Sequence, residues 1–455
     1  MSTKNPAISK GIDWSLVWIY LLLVGIGITA VFGATYKEDD PILQSFLNFG
    51  TDYSKQLYFF IVGLVIGLFI LLTDSKFFSA TANIWYAAGI VMLLLVFPLH
   101  SNVKGTESII RFGGFNFQPA EFCKICVCLA LAKYLSRPET DFSKTRSQLI
   151  AAGIALTPAI ITIMQSETGL ALVFFAFFLV MYREGLPSGV LIIGFATAAL
   201  VVATLLLDKY VLATALTVLA VLVLLIMRRQ IKRDRSLLFK IAFLWLICVA
   251  IQLFGVPFLF KNVLAKHQVE RIYSTIGKDV PPEYMKGEGP SQPISTTPGS
   301  SGTPAKKENT ADYNVKQSKI AIGSGGLFGK GLLKGTQTRY GFVPEQRTDF
   351  IFDTIGEGFG FTGSFILLGI YLLLLFRIIT IAERQRSVFS RCYAYGVAAV
   401  FFFHIGINVA MTIGLAPVIG ITLPLVSYGG TSLITFTILL FILVRLDADR
   451  QMVLR

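Results

Sequence analysis

The chain has 455 residues, of which 54% are hydrophobic and 15% are charged, and its formal net charge is +13. Soluble globular domains carry about 25% charged residues, so this composition excludes a soluble protein and indicates an integral membrane protein. The apolar residues form separate runs of about 18 to 23 residues, which predict transmembrane helices and exclude the short alternating strands of a β-barrel.

Twelve apolar segments are long enough to be membrane-spanning helices. The first follows a short polar leader that contains Lys4 and Lys10, so we predict that it is retained and is not a cleaved signal peptide. The predicted spans are about 14–34, 57–73, 78–98, 119–135, 147–164, 168–183, 187–207, 210–227, 237–260, 356–378, 389–412 and 427–445.

Basic residues are unevenly distributed over the loops between these spans. Since cytoplasmic loops are enriched in Lys and Arg, their distribution predicts that both termini are cytoplasmic (N-in/C-in). The same distribution accounts for the net charge, and no basic stripe is interleaved with aromatic residues, so we predict no nucleic-acid partner. The residues on the predicted inner side are Lys76, Lys133, Arg137, Lys144, Arg146, Arg183, Arg228, Arg229, Lys232, Arg233, Arg235, Arg377, Arg384, Arg386, Arg445, Arg450 and Arg455.

One long connection, 262–355, is extracytoplasmic in this topology. Its middle part, 278–312, is rich in Pro, Gly, Ser and charged residues, which predicts disorder. The flanking segments 265–272 and 313–350 mix apolar residues with glycines, and we expect them to form packed re-entrant or surface-lying structure.

Four polar stretches fall at the outer ends of predicted spans. A charge beside the bilayer costs several kcal/mol unless it is paired or hydrated, so their convergence on one membrane face predicts a functional site. The stretches contain Glu121 and Lys124; Gln165 and Glu167; Asp349, Asp353 and Glu357; and LPLVSYGGTS at 423–432.

Structural explanations remain open for these charges. Glu121 and Lys124, at i and i+3, could form an ion pair that holds the helix bundle together. The next three acids are spaced at i, i+4 and i+8, which would align them along one side of a helix over about 12 Å. Thr348 and Asp349 could be helix-capping residues, but capping explains one of the three acids only.

Other polar side chains are predicted to have packing roles. His404 and Asn408, at i and i+4, are expected to form hydrogen bonds between helices and not to be catalysts. Cys123, Cys126 and Cys128 lie in an apolar run without a histidine or second cysteine pair to complete a tetrahedral site, so we interpret them as small apolar residues.

The glycine-rich segment GSGGLFGKG, at 323–331, lacks the residue order of a nucleotide-binding P-loop. Its backbone amides, together with Lys319, Lys330 and Lys334, could instead hold a lipid-linked pyrophosphate, because successive backbone amides bind anions in the same way.

FGGFNFQPAEFCK, QSKIAIGSGGLFGKG, FVPEQRTDFIF and LPLVSYGGTS together resemble the SEDS (shape, elongation, division and sporulation) family over nearly the whole chain. The second motif resembles the RodA-like branch, which acts in cell elongation and shape maintenance. The resemblance implies a peptidoglycan glycosyltransferase that polymerises lipid II, an undecaprenyl-pyrophosphate-linked disaccharide peptide, into glycan strands. It also implies a bacterial cytoplasmic membrane location, an active site facing outside and a class B penicillin-binding protein (a transpeptidase) as partner.

The resemblance also assigns roles to residues. The essential aspartate of the family corresponds to Asp349, which we predict to be the catalytic base, and Glu121, Lys124 and Glu357 correspond to positioning or substrate-binding residues. No residue specifies a cofactor, although a divalent cation, magnesium or manganese, would suit a pyrophosphate leaving group. The predicted pyrophosphate-binding residues are Arg111, Arg271, Lys319 and Arg347.

The chain departs from the family pattern in a few places. Asp353 corresponds to a small apolar residue in relatives, so we predict no catalytic role for it. The family has ten spans, whereas 187–260 holds three where one is expected. We therefore predict a single membrane domain, 1–455, that carries two inserted helices, in addition to a lengthened 278–312.

Two other functions remain compatible with these patterns. Twelve spans with buried charges would suit a lipid II flippase. However, transporters place their sites near the midplane and often show inverted repeats, whereas the polar stretches here are predicted at one membrane face. A non-catalytic scaffold for wall synthesis is the second alternative, and it predicts that Asp349→Ala leaves polymer formation unchanged.

Overall fold

The structure is a computed structural model that is almost entirely helical. The chain divides into two compact units, one made of Met1–Leu186 with Asn314–Arg455 and the other of Pro187–Tyr313. The residues that the structure describes are 11–36, 46, 49–99, 101–103, 106–112, 115–165, 167–263, 269, 273, 280, 281, 284, 310–416 and 418–451.

The first unit contains most of the helices and a small sheet. Its elements before the second unit are α1 (Trp14–Thr35), α2 (Asp52–Leu72), α3 (Ser75–Leu99), β1 (Ser101–Val103), β2 (Thr106–Phe112), β3 (Phe115–Phe117), α4 (Pro119–Leu135), α5 (Thr145–Met164), α6 (Thr168–Phe174) and α7 (Phe177–Arg183).

The second unit begins with α8 (Ser188–Leu206), α9 (Lys209–Ile226), α10 (Arg228–Arg233) and α11 (Ser236–Ala250). The last of these continues through π-helical turns, Ile251–Gly255 and Leu259–Val263, on either side of α12 (Val256–Phe258). An apolar cluster in this unit is built around Val256, Phe260, Val269, Tyr273, Val280 and Tyr284.

The chain then forms α13 (Thr310–Ser324), which begins at the end of the second unit, followed by α14 (Thr336–Arg339), α15 (Ile351–Glu383), α16 (Val388–Thr412) and α17 (Gly430–Ala448). A short 3₁₀ turn, Asp449–Gln451, follows α17.

Every predicted span coincides with helix. Among the described residues, nine helices are long and apolar enough to cross a membrane. The remaining three predicted spans correspond to α4, to α6 with α7, and to α8. The total of twelve spans and the N-in/C-in orientation stay predictions.

Helix α4 lies in the core of the first unit, where it packs against α3, α5, α16 and α17. Its cysteines are buried at these contacts, and a Cβ on Gly396 of α16 would collide with the Cys128 sulfur. The described residues contain no group of three His, Cys, Asp or Glu side chains that could hold a metal. The burial of these cysteines and the close approach of Gly396 agree with packing roles, and the absence of a metal site stays a prediction.

A three-stranded antiparallel sheet in the order β1-β2-β3 connects α3 to α4, in a segment predicted only as a loop. Arg111 of β2 pairs with Asn116 of β3. TESIIRF and FNF carry the β-branched and aromatic residues typical of strands, but the runs are too short for their pattern to predict a sheet.

The predicted disordered segment 278–312 lies mostly outside the described residues, and so does Arg271. The two inserted helices within 187–260 also stay a prediction.

Candidate functional site

A buried group of charged side chains connects α4 to α16. The Lys124 ammonium lies 2.7 Å from Glu121 Oε2 and 2.7 Å from Nε2 of His404. His404 Nδ1 lies 3.0 Å from the Thr422 carbonyl, which can only accept a hydrogen bond. Nδ1 must therefore carry the hydrogen, so Nε2 accepts from Lys124. The predicted ion pair and the predicted interhelical role of His404 are both confirmed.

This group has little contact with solvent. Lys124 and His404 are completely buried and Glu121 is 2% exposed. The face of the Phe436 ring lies 5.2 Å from the Lys124 ammonium and provides a further electrostatic contact. Because the ammonium is surrounded on three sides, it holds α4, α16 and α17 in a fixed arrangement.

Asp349 lies just outside the helix that was predicted to contain it. Helix α15 begins at Ile351, after a turn in which Glu345 adopts a positive φ of 57°. The expectation that Asp349, Asp353 and Glu357 share one face of a single helix is therefore wrong for the first acid. Asp349 is half-buried, whereas the other two are completely buried.

Hydrogen bonds to the backbone fix the position of Asp349. Asn408 of α16 donates to the Asp349 carbonyl at 2.8 Å and to the Ile421 carbonyl at 2.7 Å. Neither acceptor lies within a helix, so the prediction that Asn408 forms hydrogen bonds between helices is wrong in this respect. A Cβ on Gly420 would lie 3.4 Å from Asp349 Oδ2, so the carboxylate lies beside that glycine. Asn408 is one helical turn after His404, and α16 therefore contacts both Asp349 and the Lys124 group.

Arg347 is held next to Asp349 by the segment before α17. Its side chain is 49% exposed and forms an ion pair with Asp52 at the start of α2. Tyr428 N donates to the Arg347 carbonyl at 2.9 Å, and Ser427 Oγ donates to the Thr348 carbonyl at 2.6 Å. The guanidinium can therefore present its remaining N–H groups to a ligand near Asp349.

The other predicted cations are placed differently. Arg111 is exposed on β2, and Lys319 is exposed on α13, where its Nζ lies beside Gly414. The sheet that carries Arg111 is tied to α17, because Thr431 Oγ1 donates to the Asn116 carbonyl at 2.8 Å. The described residues thus connect Arg111 and Arg347 to the segment around α17.

Glu167 is also joined to this face of the first unit. Ser108 of β2 donates to Glu167 Oε1 at 2.6 Å, and Gln165 donates to the Leu93 carbonyl at 2.7 Å. Together with the contacts of α4, Asp349 and 423–432, these bonds join all four predicted polar stretches into one network, as their sequence positions predict.

Glu357 has an unexpected environment. Its Oε1 accepts from Lys330 Nζ at 2.8 Å and from Gln337 N at 2.9 Å, and its Oε2 accepts from the amide and hydroxyl of Thr338, both at 2.9 Å. The segment after α13 therefore surrounds a carboxylate of the chain itself. Lys330, one of the lysines predicted to hold a pyrophosphate, is paired with Glu357 instead, and the role of the glycine-rich segment as a pyrophosphate cradle stays a prediction.

The same segment docks into a break in α15. Gly360 has φ 68° and ψ −162°, so the two amides after it cannot bond four residues back as in a continuous helix. Backbone groups of the glycine-rich segment form hydrogen bonds with these two amides and with the two α15 carbonyls that have lost their helical partners. The exchanged bonds are Phe361 N to Gly326 O (2.8 Å), Thr362 N to Leu327 O (3.0 Å), Lys330 N to Glu357 O (3.0 Å) and Gly331 N to Gly358 O (2.8 Å).

Asp353 makes a different contact. Ser318 Oγ of α13 lies 2.8 Å from Asp353 Oδ1 and 2.6 Å from the Thr412 carbonyl. Within the described residues Asp353 Oδ2 is buried without a hydrogen-bond partner. Asp353 therefore ties α13 to α15 and α16, whereas its lack of a catalytic role stays a prediction.

Several residues of this network were not predicted from the sequence. Ser318, Thr338 and Thr412 are small hydroxyl residues that are common in loops and helices, so their type carries no signal. Gln56 is different, because it is the single amide side chain of α2 and directly precedes the predicted span 57–73, and a buried polar residue beside the bilayer indicates function. It donates to the Ser427 carbonyl at 3.2 Å and accepts from Gly429 N at 3.3 Å.

Comparison with known proteins gives consistent matches over the chain. The family model FTSW_RODA_SPOVE, described as "Cell cycle protein", matches residues 14–239 and 302–452. The chain is 29% identical to "Peptidoglycan glycosyltransferase RodA" of Treponema pallidum (strain Nichols), over 96% of this chain and 97% of that protein. It is 30% identical to "Peptidoglycan glycosyltransferase MrdB" of Escherichia coli (strain K12), over 86% of this chain and 84% of that protein.

Solved structures share the fold. A chain from "Structural coordination of polymerization and crosslinking by a peptidoglycan synthase complex" superposes with a TM-score of 0.63 at 22% identity, over 97% of this chain and 98% of that chain. The rod shape determining protein RodA of Thermus thermophilus superposes with a TM-score of 0.59 at 22% identity, over the same shares of the two chains.

Proposed function

The chain belongs to the FtsW, RodA and SpoVE family of cell cycle proteins, and from this premise we propose that it polymerises lipid II into peptidoglycan glycan strands during cell elongation. It is a peptidoglycan glycosyltransferase. The observation that supports the choice of site is the position of Asp349, a half-buried carboxylate outside the helix, held by the same helix α16 that binds the buried Lys124.

The proposed reaction uses Asp349 as general base. It accepts the proton of the acceptor hydroxyl while that oxygen attacks the anomeric carbon of the donor sugar, and the bond to the undecaprenyl pyrophosphate breaks. The leaving group takes the electron pair of that bond, so cations near it lower the barrier. Arg347, 49% exposed beside Asp349 in sequence, is the described cation best placed for this role. Arg111 and Lys319 are further candidates, as is Arg271 outside the described residues.

Glu121, Lys124 and Glu357 act as positioning residues in this proposal. All three are buried and fully engaged with protein groups, so they do not contact substrate as the structure stands. The first two fix α16, on which Asp349 depends through Asn408. Glu357 fixes the segment that follows α13, and Lys319 lies on α13 itself.

A magnesium or manganese ion is compatible with this site. Magnesium is bound by one or two carboxylates together with substrate phosphates and waters, and does not need a cage of protein ligands. A half-buried carboxylate such as Asp349 fits that requirement, and the ion would neutralise charge on the pyrophosphate.

The protein is a multi-pass membrane protein, and we place it in the bacterial cytoplasmic membrane with the Asp349 face outside. The excess of Lys and Arg in the predicted inner loops supports this orientation. A class B penicillin-binding protein is the proposed partner, and the similarity of fold to a chain of a peptidoglycan synthase complex supports such an assembly.

The test is polymerisation of labelled lipid II by the purified protein with its class B partner. Asp349→Asn keeps the size of the side chain but removes the base. General base catalysis typically contributes a factor of about 10² to 10⁴, so we expect the rate of strand formation to fall by at least about 100-fold. Asp353→Asn is the matched control and should retain activity.

Three other outcomes would count against the proposal. Undiminished strands from Asp349→Asn would remove the catalytic role of Asp349. Strand formation by the partner alone, unaffected by either variant, would favour a scaffold. Transfer of lipid II across vesicle membranes without polymer from the wild type would favour a flippase.

A further inference from the structure

A polar cavity of about 180 Å³ lies where α1 begins and α15 ends, at the opposite end of α15 from Asp349. Three arginines and one aspartate line it, Arg377, Arg384, Arg450 and Asp13, so positive charge exceeds negative by 3 − 1 = 2. We call this cavity the arginine pocket. A water occupies about 30 Å³ in the liquid, so the pocket has room for a group the size of a phosphate.

Buried carboxylates hold the arginines in place. Asp13 accepts from Arg377 Nη2 at 2.7 Å and from Arg384 Nη2 at 2.6 Å, and Asp447 accepts from Arg450 Nη1 at 2.7 Å. Side chains of the two acids are 1% and 0% exposed, whereas those of the three arginines remain 24% to 34% exposed. The acids are therefore enclosed while the guanidinium groups stay accessible.

The arginines keep unused donors. A guanidinium has five N–H groups, and only some of the N–H groups of each arginine donate to the carboxylates. Within the described residues, Nη1 of Arg377, Nη1 of Arg384 and Nη2 of Arg450 make no hydrogen bond. Such fixed, planar donors bind a tetrahedral oxyanion with better-defined geometry than a flexible ammonium would.

Two exposed tryptophans indicate that the pocket lies near the depth of lipid headgroups. Trp14 lines it and is 54% exposed, and Trp18 one turn further is 67% exposed. Tryptophan is enriched at the membrane interface, where the phosphates of lipids lie. The amides of Trp14 and Ser15 belong to the first turn of α1 and have no partner within the helix, which adds to the attraction for an anion.

We propose that the arginine pocket binds the phosphate of an anionic lipid headgroup. Basic pockets between helices bind such headgroups in other membrane proteins. The bound lipid would bridge the start of α1, the end of α15 and the turn after α17, and would stabilise the folded protein by mass action. Free phosphate shares the same chemistry, so the test separates the two sources.

The experiment measures the unfolding temperature of the purified full chain in nanodiscs of phosphatidylcholine, with and without phosphatidylglycerol, and in phosphatidylcholine with added inorganic phosphate. Arg450→Gln removes one cation and leaves Asp447 bonded to Arg384 and Gln385, so this variant should fold. Arg386→Gln is the matched control, because Arg386 is exposed near the same end of α15 but does not line the pocket.

Phosphatidylglycerol should raise the unfolding temperature of the wild type and of Arg386→Gln, and Arg450→Gln should lose most of that shift. A shift with inorganic phosphate that Arg450→Gln also loses would support the pocket but make free phosphate its ligand. Equal shifts in both variants would show a general effect of surface charge and overturn the proposal, as would no shift in the wild type.

Discussion

Among the described residues, Lys124 is one of the largest side chains that are completely buried, and it is the only charged one of these. In the bilayer or the protein interior an ammonium needs partners on every side, since water cannot supply them. Glu121, His404 and the Phe436 ring provide these partners from three different elements. A single charged residue thus connects helices that are far apart in sequence.

Replacement of Lys124 by methionine should strongly destabilise the protein. The side chains are similar in length, but Glu121 would remain buried without its cation, which costs about 3–5 kcal/mol. Unfolding in detergent, followed by helical circular dichroism, measures the loss. The double variant Glu121→Gln with Lys124→Met removes both charges and should recover part of it. A double variant as unstable as the single one would contradict this explanation.

Among the elements, α15 is both a long apolar helix and the docking site of the glycine-rich segment, because it is interrupted at Gly360. Gly360 adopts a conformation that side-chain-bearing residues rarely adopt, and the helix opens there to receive the glycine-rich segment. A Cβ at Gly360 would contact Gly329 N and the Leu327 carbonyl. The glycines of 323–331 are therefore explained by the close approach of that backbone to the backbone of α15. Glu357 of α15 also holds the segment through its ion pair with Lys330.

Gly360→Ala should destabilise the first unit and lower polymerisation, because it combines a positive φ with a backbone collision. Gly369→Ala in the same helix is the control, since a Cβ there would meet nothing within 4 Å. It should be neutral or stabilising, as glycine within a helix costs about 1 kcal/mol relative to alanine. Unfolding temperature and strand formation are measured on both variants. Equal effects would mean that the break in α15 does not dock the glycine-rich segment.

At the scale of the whole molecule, the two ends of the described chain meet at α15. Asp13 precedes α1 and Asp447 lies near the end of α17, and both accept hydrogen bonds from Arg384. Burial raises the pKa of the Asp13 carboxyl, but hydrogen bonds from Arg377, the Leu16 amide and Arg384 outweigh it and hold that pKa below its ordinary value. This tie therefore depends on pH.

Acid should weaken the tie in a defined direction. Since the pKa of Asp13 is lower in the folded state, its contribution to the free energy of unfolding is fully present above the ordinary value of 3.8 and is lost as the pH falls further. The unfolding temperature measured from pH 6 to pH 3 should fall less steeply for Asp13→Asn than for wild type. Asp74→Asn, at an exposed aspartate, should keep the wild-type slope. Identical slopes for all three proteins would contradict the role of Asp13.

Much of the candidate site follows from local patterns. The Glu121–Lys124 pair results from i, i+3 spacing. The i, i+4 spacing of His404 and Asn408 brings both side chains to one face of α16 wherever that helix packs. Asp349 was misplaced relative to α15 because the start of a helix depends on the turn before it. In this case Glu345, in a left-handed conformation, makes that turn directly after Pro344, and the proline alone does not fix the residue at which the following helix begins.

By itself the sequence determined the membrane class and the positions of the helical segments, and it predicts which membrane face carries the polar residues. Hydrophobic length and charge placement are one-dimensional properties, so the chain order reveals them. Only the tertiary structure decided that Glu357 binds Lys330 and Thr338, that Lys124 reaches His404 and that Arg377, Arg384 and Arg450 meet around one cavity. These contacts join residues up to 280 positions apart in the case of Lys124 and His404, and their formation depends on how the helices pack, which local pattern does not encode.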